Sequence, residues 1–318
     1  MPVFKQGDSK DYKNYRPISV LSIFSKNFEN VYCSRLMAFL SNFNILNNCQ
    51  HGFRSGKNTE SAMTELVEFV LSALNNRLFV SAAFLDFSKA FDTVDHACLL
   101  GKLANYGIRG NCLSWIESFL TQRSQVVVIN GVQSETLILT KGVPQGSTLG
   151  PILFLLYAND MVNHLENIEP IVYADDTTLL SSRGDLIDME INLNIAVNQI
   201  VDWCQINQLQ LNVAKTKTMH FQTKQSQVCA LPTVMIGEEI VENTDVFKYL
   251  GVLVNENLEW SHHIDACSKK ICKGLFVLRR LRSIVDLKTL ISIYYAYIFP
   301  HLNYGCILWG NCSDSKRL

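Results

Sequence analysis

Apolar residues recur at helical spacing in two early stretches. Phe24, Phe28, Val31, Tyr32 and Leu36 do so within 20–40, and Met63, Leu66, Val67, Val70, Leu71 and Leu74 within 60–74. Each predicts an amphipathic helix with its apolar stripe turned to a core. Residues 78–87 (LFVSAAFLDF) are rich in strand-forming side chains and hold no breaker, so a buried strand ending near Asp86 is expected. Helices are expected at about 95–106 and 111–121, stopped by Gly107 and by Gln122-Arg123. Val126 to Asn130 with Gly131 reads as strand and turn, with a returning strand at 137–139. A helix should follow from about Pro151, a residue suited to a first turn, to about Leu165. Residues 170–181 (PIVYADDTTLLS) predict two short apolar strands joined by a tight turn at Ala174, Asp175 and Asp176. A long helix is expected over 185–207, short strands at 217–222, 233–236, 239–242 and 246–253, and a helical, basic stretch over 262–300. This order predicts an α+β fold on a mixed sheet rather than a doubly wound one.

Composition narrows the class. The 318 residues are 48% hydrophobic and 18% charged, the make-up of a well-buried globular protein rather than a disordered one. MPVFKQGDSK lacks the apolar core of a signal peptide, and PILFLLYA at 151–158 is too short to span a bilayer. An intracellular protein without a membrane partner is expected, with nucleus and cytoplasm undistinguished. The ten cysteines include no CxxC pair, which signals neither zinc nor a thiol redox motif; they are expected reduced and mostly buried.

The net charge of -1 hides an uneven distribution. Residues 1–57 carry 8 Lys/Arg against 3 Asp/Glu, and residues 261–318 carry 9 against 3. Two basic flanks around an acidic centre suit a protein whose outer parts grip phosphates while its centre holds cations.

Three carboxylates carry the candidate chemistry. Asp86 falls at a strand end, and Asp175-Asp176 at a hairpin tip with the apolar arms IVY and TTLL. Aspartate favours turns for local hydrogen bonding, so the pair alone says little. Apolar arms that bury the turn leave two carboxylates in need of a cation or a partner. A strand end beside a hairpin tip is a rigid mount for hard oxygen ligands, and one or two carboxylates plus substrate phosphates make up the usual Mg²⁺ shell. The expected chemistry is in-line phosphoryl displacement assisted by two ions roughly 4 Å apart.

The segments FLDFSKAFDTV (84–94), GVPQGSTLGPILFLLYANDM (142–161) and VYADDT (172–177) resemble the palm motifs of non-LTR (LINE/jockey-type) retrotransposon reverse transcriptases. NYRPISVLS (14–22) and QHGFRSGKNT (50–59) resemble that family's finger motifs, and LQLNVAKTKTMHF (209–221) its lysine-bearing motif. FKYLGVLVNENLEW (247–260) resembles its primer-gripping hairpin, and YIFPHLNYGCILWG (297–310) the thumb segment that follows.

The resemblance implies a right-hand polymerase with partial helical fingers (1–77), a palm of antiparallel sheet backed by helices (78–253) and a helical, basic thumb (254–318). The implied activity is RNA-directed DNA polymerisation: dNTPs are added to the 3'-hydroxyl of a DNA primer on an RNA template, with two Mg²⁺ ions that Mn²⁺ can replace. Metal ligation falls to Asp86 and Asp175, with Asp176 beside them or as a further ligand.

Phe91 matches the aromatic under the sugar of the incoming nucleotide, where it would exclude a 2'-hydroxyl; plain core packing is its alternative. That ring disfavours an RNA-dependent RNA polymerase. Gln145 and Gly146 match residues set against nucleotide and template. Arg16 is the candidate triphosphate clamp, since a guanidinium fork suits phosphate oxygens, and Lys10 or Lys13 could assist. Arg54 is a template-side candidate. Lys215 is the candidate proton donor to pyrophosphate, with Lys217 competing, because alternation along a strand would point both the same way. Phe247, Tyr249, Leu250 and Gly251 would grip the primer end, and the helix around Lys269, Lys270, Lys273, Arg279, Arg280 and Arg282 would track duplex phosphates.

Members of the family carry a nicking endonuclease upstream, and the chain starts a few residues before the first finger motif. A product truncated upstream is therefore expected, with a catalytically silent nucleic-acid-binding remnant as the alternative function.

Overall fold

The apolar run at 78–87 forms the strand Phe79–Leu85, in which every residue after Phe79 is buried. Its alternate side chains enter two cores. Val80, Ala82 and Phe84 pack with Met63, Leu66 and Val70 of the helix Thr59–Asn75. Ala83 and Leu85 pack with Leu193, Val197 and Ile200 of the helix Leu186–Ile206. A strand covered on both faces has no solvent side on which to place polar residues, which explains an apolar run interrupted only by Ser81, whose buried hydroxyl lies 3.1 Å from His220 Nδ1.

In this computed structural model the described residues are 1–5, 7–8, 10–121, 123–129, 131–225 and 232–317, without the side chains of 13, 316 and 317. Gln122, Asn130, Cys229 and the Lys13 side chain lie outside them.

Phe79–Leu85 is the middle strand of a five-stranded sheet. The order across it is Glu242–Asn243, Lys217–Phe221, Phe79–Leu85, Asp176–Arg183, Glu169–Tyr173. The pairings are antiparallel except that Glu242–Asn243 runs parallel to Lys217–Phe221, so the expected antiparallel sheet carries one parallel edge. Next to the Glu169–Tyr173 edge, Gln50 makes an isolated parallel bridge to Val172.

The expected helices at 95–106, 111–121 and 185–207 form as His96–Asn105, Asn111–Leu120 and Leu186–Ile206. The helix expected from Pro151 to Leu165 is shorter, Leu149–Ala158, and starts two residues earlier. The expected ribbon forms as two short pairings, Arg123–Gln125 with Leu137–Leu139 and Val128–Ile129 with Val132–Gln133. The basic C-terminal stretch is helical through Ser261–Leu281, Leu287–Tyr297 and Phe299–Asn303. No helix among the described residues is long and apolar enough to cross a membrane.

Two expectations require correction. The first helix, Ile23–Asn42, buries Glu29, Cys33, Leu36 and Leu40, while Phe24, Phe28 and Val31 stay exposed. Its inward face is rotated from the predicted stripe because Glu29 serves another helix. The Glu29 carboxylate accepts from the backbone N–H of Thr148 (2.8 Å) and of Leu149 (3.2 Å) at the start of Leu149–Ala158. Those orphan donors have no side-chain cap from Thr148, and a carboxylate also complements the helix dipole there. The second correction concerns the cysteines. All nine described ones are free thiols, but only Cys33, Cys49, Cys204 and Cys267 are buried; Cys112, Cys272 and Cys306 are exposed.

Candidate active site

The sheet register brings the distant acidic residues together. Leu85 pairs with Thr177, so Asp86, one residue past the strand, emerges beside Asp176, the first residue of the neighbouring strand. Asp176 pairs with Tyr173 across the tight turn, with Ala174 and Asp175 at its tip. Ala174 holds a left-handed φ of 59°, which costs a non-glycine residue about 1 kcal/mol or more and persists only where surroundings enforce it.

Electrostatics record the convergence. Burial raises the Asp175 carboxyl above its ordinary value, and the nearby Asp86 adds to the shift, while Arg16 and Lys5 oppose it. Asp176 is pushed up to about 6 by burial, then by repulsion from Asp175 and Asp86, with Lys5 opposing. Since the Asp176 side chain keeps solvent contact, the repulsion among the three carboxyls is the part of that shift that bears on chemistry. Among the described residues no three His, Cys, Asp or Glu side chains form a ready-made metal cage. The site is a cluster of interacting hard oxygens at an open strand end.

A second chain segment closes over it. Asn212 N–H donates to Asp86 O (2.8 Å), Ser88 N–H to Gln210 O (2.8 Å), and Asp86 N–H to Thr216 Oγ1 (3.3 Å). This brings Lys215 Nζ to 3.7 Å from Asp86 Oδ2. Lys215 lies in the turn before the strand, so strand alternation does not relate it to Lys217. The Lys217 ammonium instead donates to Glu242 Oε2 (2.6 Å) and Ala214 O (3.1 Å).

The hairpin Val246–Tyr249/Val252–Asn255 forms the opposite wall of this cleft. Leu250 and Gly251 both have positive φ, as its two-residue turn demands. Phe247 stacks on Phe84 at 4.2 Å, and Tyr249 is buried at 5.6 Å from the same ring. Burial pushes the Tyr249 phenol up, despite its hydrogen bond with Thr178. The hairpin turn is braced from outside by Tyr304, whose hydroxyl donates to Leu250 O.

The remaining candidates divide. Arg16 sits in the strand Tyr15–Pro17, paired with Pro2–Phe4, and its charge acts on Asp175. Lys5, just past that pair, acts on both Asp175 and Asp176 and was not anticipated from the sequence. Phe91 is half-buried and stacks on Phe154 at 4.6 Å. Gln145 donates its amide to Asp92 Oδ1 (2.8 Å), a residue whose carboxyl burial pushes up. Gly146, at φ 106°, lies against the chain's own backbone: a Cβ there would meet Ser19 O at 2.8 Å. Arg54 donates to Asn47 O (2.7 Å), bracing its own loop.

Known proteins share this chain's sequence family and its fold. Residues 5–254 match the family described as reverse transcriptase (RNA-dependent DNA polymerase). The chain is 28% identical to the RNA-directed DNA polymerase from mobile element jockey of Drosophila melanogaster, over 96% of this chain and 34% of that protein. It is 30% identical to the probable RNA-directed DNA polymerase from transposon X-element of the same species, again over 96% and 34%. The chain thus spans about a third of the length of these curated relatives. Among solved structures, a telomerase from Candida tropicalis in complex with a TWJ fragment of telomeric RNA aligns with a TM-score of 0.52 at 13% identity, covering 88% of this chain and 46% of that one. The apo telomerase of the same species gives 0.51, also at 13%, covering 76% and 45%. The folds are alike, with mixed helices and sheets in the arrangement of a reverse transcriptase. With the matched model covering most of the chain and the mobile-element relatives covering nearly all of it, this protein belongs to the reverse transcriptase (RNA-dependent DNA polymerase) family, in its non-LTR retrotransposon branch.

Proposed function

We propose that this chain is the polymerase core of a non-LTR element's RNA-directed DNA polymerase, with fingers over 1–77, palm over 78–253 and thumb over 254–318. The observation that carries the proposal is that Asp86 and Asp176 share one strand-end cleft with Lys215 and residues 247–250, with Asp175 next to them at the turn tip and electrostatically coupled to Asp86. The donor set suits divalent cations: hard carboxylate oxygens that repel one another, Asp86 and Asp176 in the cleft and Asp175 beside them at the turn tip, where substrate phosphates would complete the shell. Asp86 and Asp175 would hold the ions, with Asp176 beside them. Two Mg²⁺ or Mn²⁺ ions in such a place supply charge neutralisation and an activated hydroxyl for in-line displacement.

The chain's own residues do the rest. Lys215, the nearer and freer lysine, is the candidate to protonate departing pyrophosphate, and its reach to Asp86 supports it over Lys217. Arg16 and Lys5 form the positive side of the site and suit the triphosphate. The ring of Phe91, held by Phe154, would exclude a ribose 2'-hydroxyl. Gln145 would face the nucleotide side, with Gly146 letting the Ser19 backbone pack close behind it, Arg54 would steady a template-side loop, and Phe247, Tyr249, Leu250 and Gly251 would hold the primer end. The partners are an RNA template, a DNA primer and dNTPs.

The test is extension of a DNA primer on an RNA template with dNTPs and Mg²⁺ or Mn²⁺, run in parallel with rNTPs. Template-dependent DNA synthesis is expected. Salt-sensitive primer-template binding by folded protein with no product would instead mark a catalytically silent remnant. Equal use of rNTPs would overturn the assignment of Phe91.

A further inference from the structure

Gln50 lies 124 residues from Ala174 in sequence and touches it in space. Its side chain is buried, 6% exposed, and its Oε1 accepts two backbone hydrogen bonds, from Gly52 N–H (2.7 Å) and from Ala174 N–H (3.1 Å). The surrounding backbone is paired on both sides of that contact: Val172 N–H donates to Cys49 O (2.9 Å) and His51 N–H to Val172 O (2.7 Å). Segment 49–51 therefore acts as a short extra strand on the sheet edge that leads into the acidic turn. Gly52 completes the approach, because a Cβ at that position would stand 2.6 Å from Ala174 N. No larger residue lets the two backbones come this close.

The other end of this buttress is anchored. The His51 ring is buried, with Nδ1 2.7 Å from Ser61 Oγ and Nε2 2.9 Å from Glu65 Oε2, both residues of the helix Thr59–Asn75. The second contact is within ion-pair distance but out of line for N–H donation. Burial, then the charges of Lys57 and Arg54, lower His51 to about 4, so at neutral pH the ring is an uncharged prop.

We infer that Gln50 is a positioning residue for the acidic turn: its carboxamide oxygen captures Ala174 N–H, holds Ala174 in its left-handed conformation, and so sets where Asp175 and Asp176 point. The inference rests on the carboxylate site proposed above and adds to it a residue that touches neither substrate nor metal. A left-handed alanine is disfavoured when its neighbours are free to relax. Without the acceptor the turn should relax and the two carboxylates should lose their fixed relation to Asp86. The carboxamide is suited to this duty because its oxygen accepts two donors without adding a charge next to three carboxylates.

The experiment compares Gln50→Met, which keeps the length and removes the acceptor, with Gln50→Glu, which keeps an acceptor oxygen. Mn²⁺ binding by the full chain is measured directly by electron paramagnetic resonance, alongside primer-extension kcat, KM for dNTP and Tm. Gln50→Met should weaken Mn²⁺ binding and lower kcat by about tenfold or more, the usual effect of removing a partner behind a metal ligand, with KM little changed. Gln50→Glu, which restores the acceptor oxygen but adds a charge beside the three carboxylates, should recover part of both losses, as should Gln50→Met combined with Ala174→Gly, because glycine adopts positive φ freely. In the unaltered chain, hydrogen exchange at Ala174 N–H should be slow.

Mn²⁺ affinity and kcat unchanged in Gln50→Met, or exchange at Ala174 as fast as in a free turn, would overturn the inference. Asp175→Asn separates the two levels. If it abolishes Mn²⁺ binding while Gln50→Met does nothing, only the positioning role fails; if it too leaves Mn²⁺ binding intact, the carboxylate site itself fails.

Discussion

The Gln145 side-chain amide donates a 2.8 Å hydrogen bond to Asp92 Oδ1, joining the short helix Ala90–Thr93 that follows Asp86 to the loop that precedes the Leu149–Ala158 helix. Backbone bonds from Val143 N–H to Phe91 O (2.8 Å) and from Gly142 N–H to Val94 O (2.7 Å) run beside it. Phe91 and Gln145 are therefore mounted on one stitched unit. Asp92→Ala frees the Gln145 amide and loosens the short helix that carries Phe91, so it should raise KM for dNTP and lower discrimination against rNTPs. Asp92→Asn keeps an acceptor and should do so far less. Steady-state primer extension with both nucleotide types reads the difference.

Glu29 should matter for stability more than its place on a predicted polar face allows. Its buried carboxylate takes the Thr148 and Leu149 amides, and Ser25 Oγ donates to it at 3.2 Å. Glu29→Ala leaves buried donors unpaired and should lower unfolding free energy by about 1–3 kcal/mol. Glu29→Gln, which retains one acceptor oxygen, should cost less. Denaturant titrations of the two variants check both the direction and the order.

Acid should act on the acidic turn in two opposite senses. Asp176 has a folded-state value raised to about 6, and Asp175 is raised as well. Raised carboxyl values mean that the metal-free fold binds protons more tightly than the unfolded chain. This contribution to stability is fully present below the unfolded value and is lost as pH rises towards about 6. Polymerisation needs the ionised carboxylates, so activity should rise over that same interval. Metal-free Tm of the unaltered chain should therefore fall relative to Asp176→Asn between about pH 4 and pH 6. Mg²⁺ or Mn²⁺ should restore Tm above that interval in the unaltered chain and not in Asp175→Asn. A metal-free Tm that rises relative to Asp176→Asn would contradict the arrangement.

The two lysines should separate cleanly. Lys215 reaches Asp86, whereas Lys217 is committed to Glu242. Lys215→Ala should lower kcat by about a hundredfold, within the range of general-acid contributions. Lys217→Ala should leave kcat within a few-fold and change stability by under about 1 kcal/mol, as a partly exposed ion pair permits. Single-turnover extension with each variant decides between them.

The carboxylates were legible in the sequence because their signals are local: a breaker-free apolar run ends at Asp86, and apolar arms enclose Asp175-Asp176. The two-residue turn at Leu250-Gly251 was not, because the apolar pattern there predicted one strand over 246–253; the chain instead breaks into Val246–Tyr249 and Val252–Asn255, the hairpin that only the family resemblance implied. Lys5 was not, since it reaches the site only through the pairing of Pro2–Phe4 with Tyr15–Pro17 and carries no local signature. Periodicity placed Phe24, Phe28 and Val31 inward; it had no means of knowing that a helix start 119 residues away needs the Glu29 carboxylate. Gln50 sits in a stretch recognisable as a motif, yet its duty shows only where its oxygen meets Ala174. Gly146 was expected to admit nucleotide or template, and the backbone it admits is that of Ser19.

The central claim is that Asp86 and Asp175, brought together by the Leu85–Thr177 register, hold the ions that drive polymerisation. Its most direct test is primer extension on an RNA template by the unaltered chain, Asp86→Asn and Asp175→Asn, with Tm measured on the same preparations. The account predicts product from the unaltered chain, loss of extension in both variants, and Tm values that stay close together because no packed side chain has been removed. Extension surviving in either variant would contradict it.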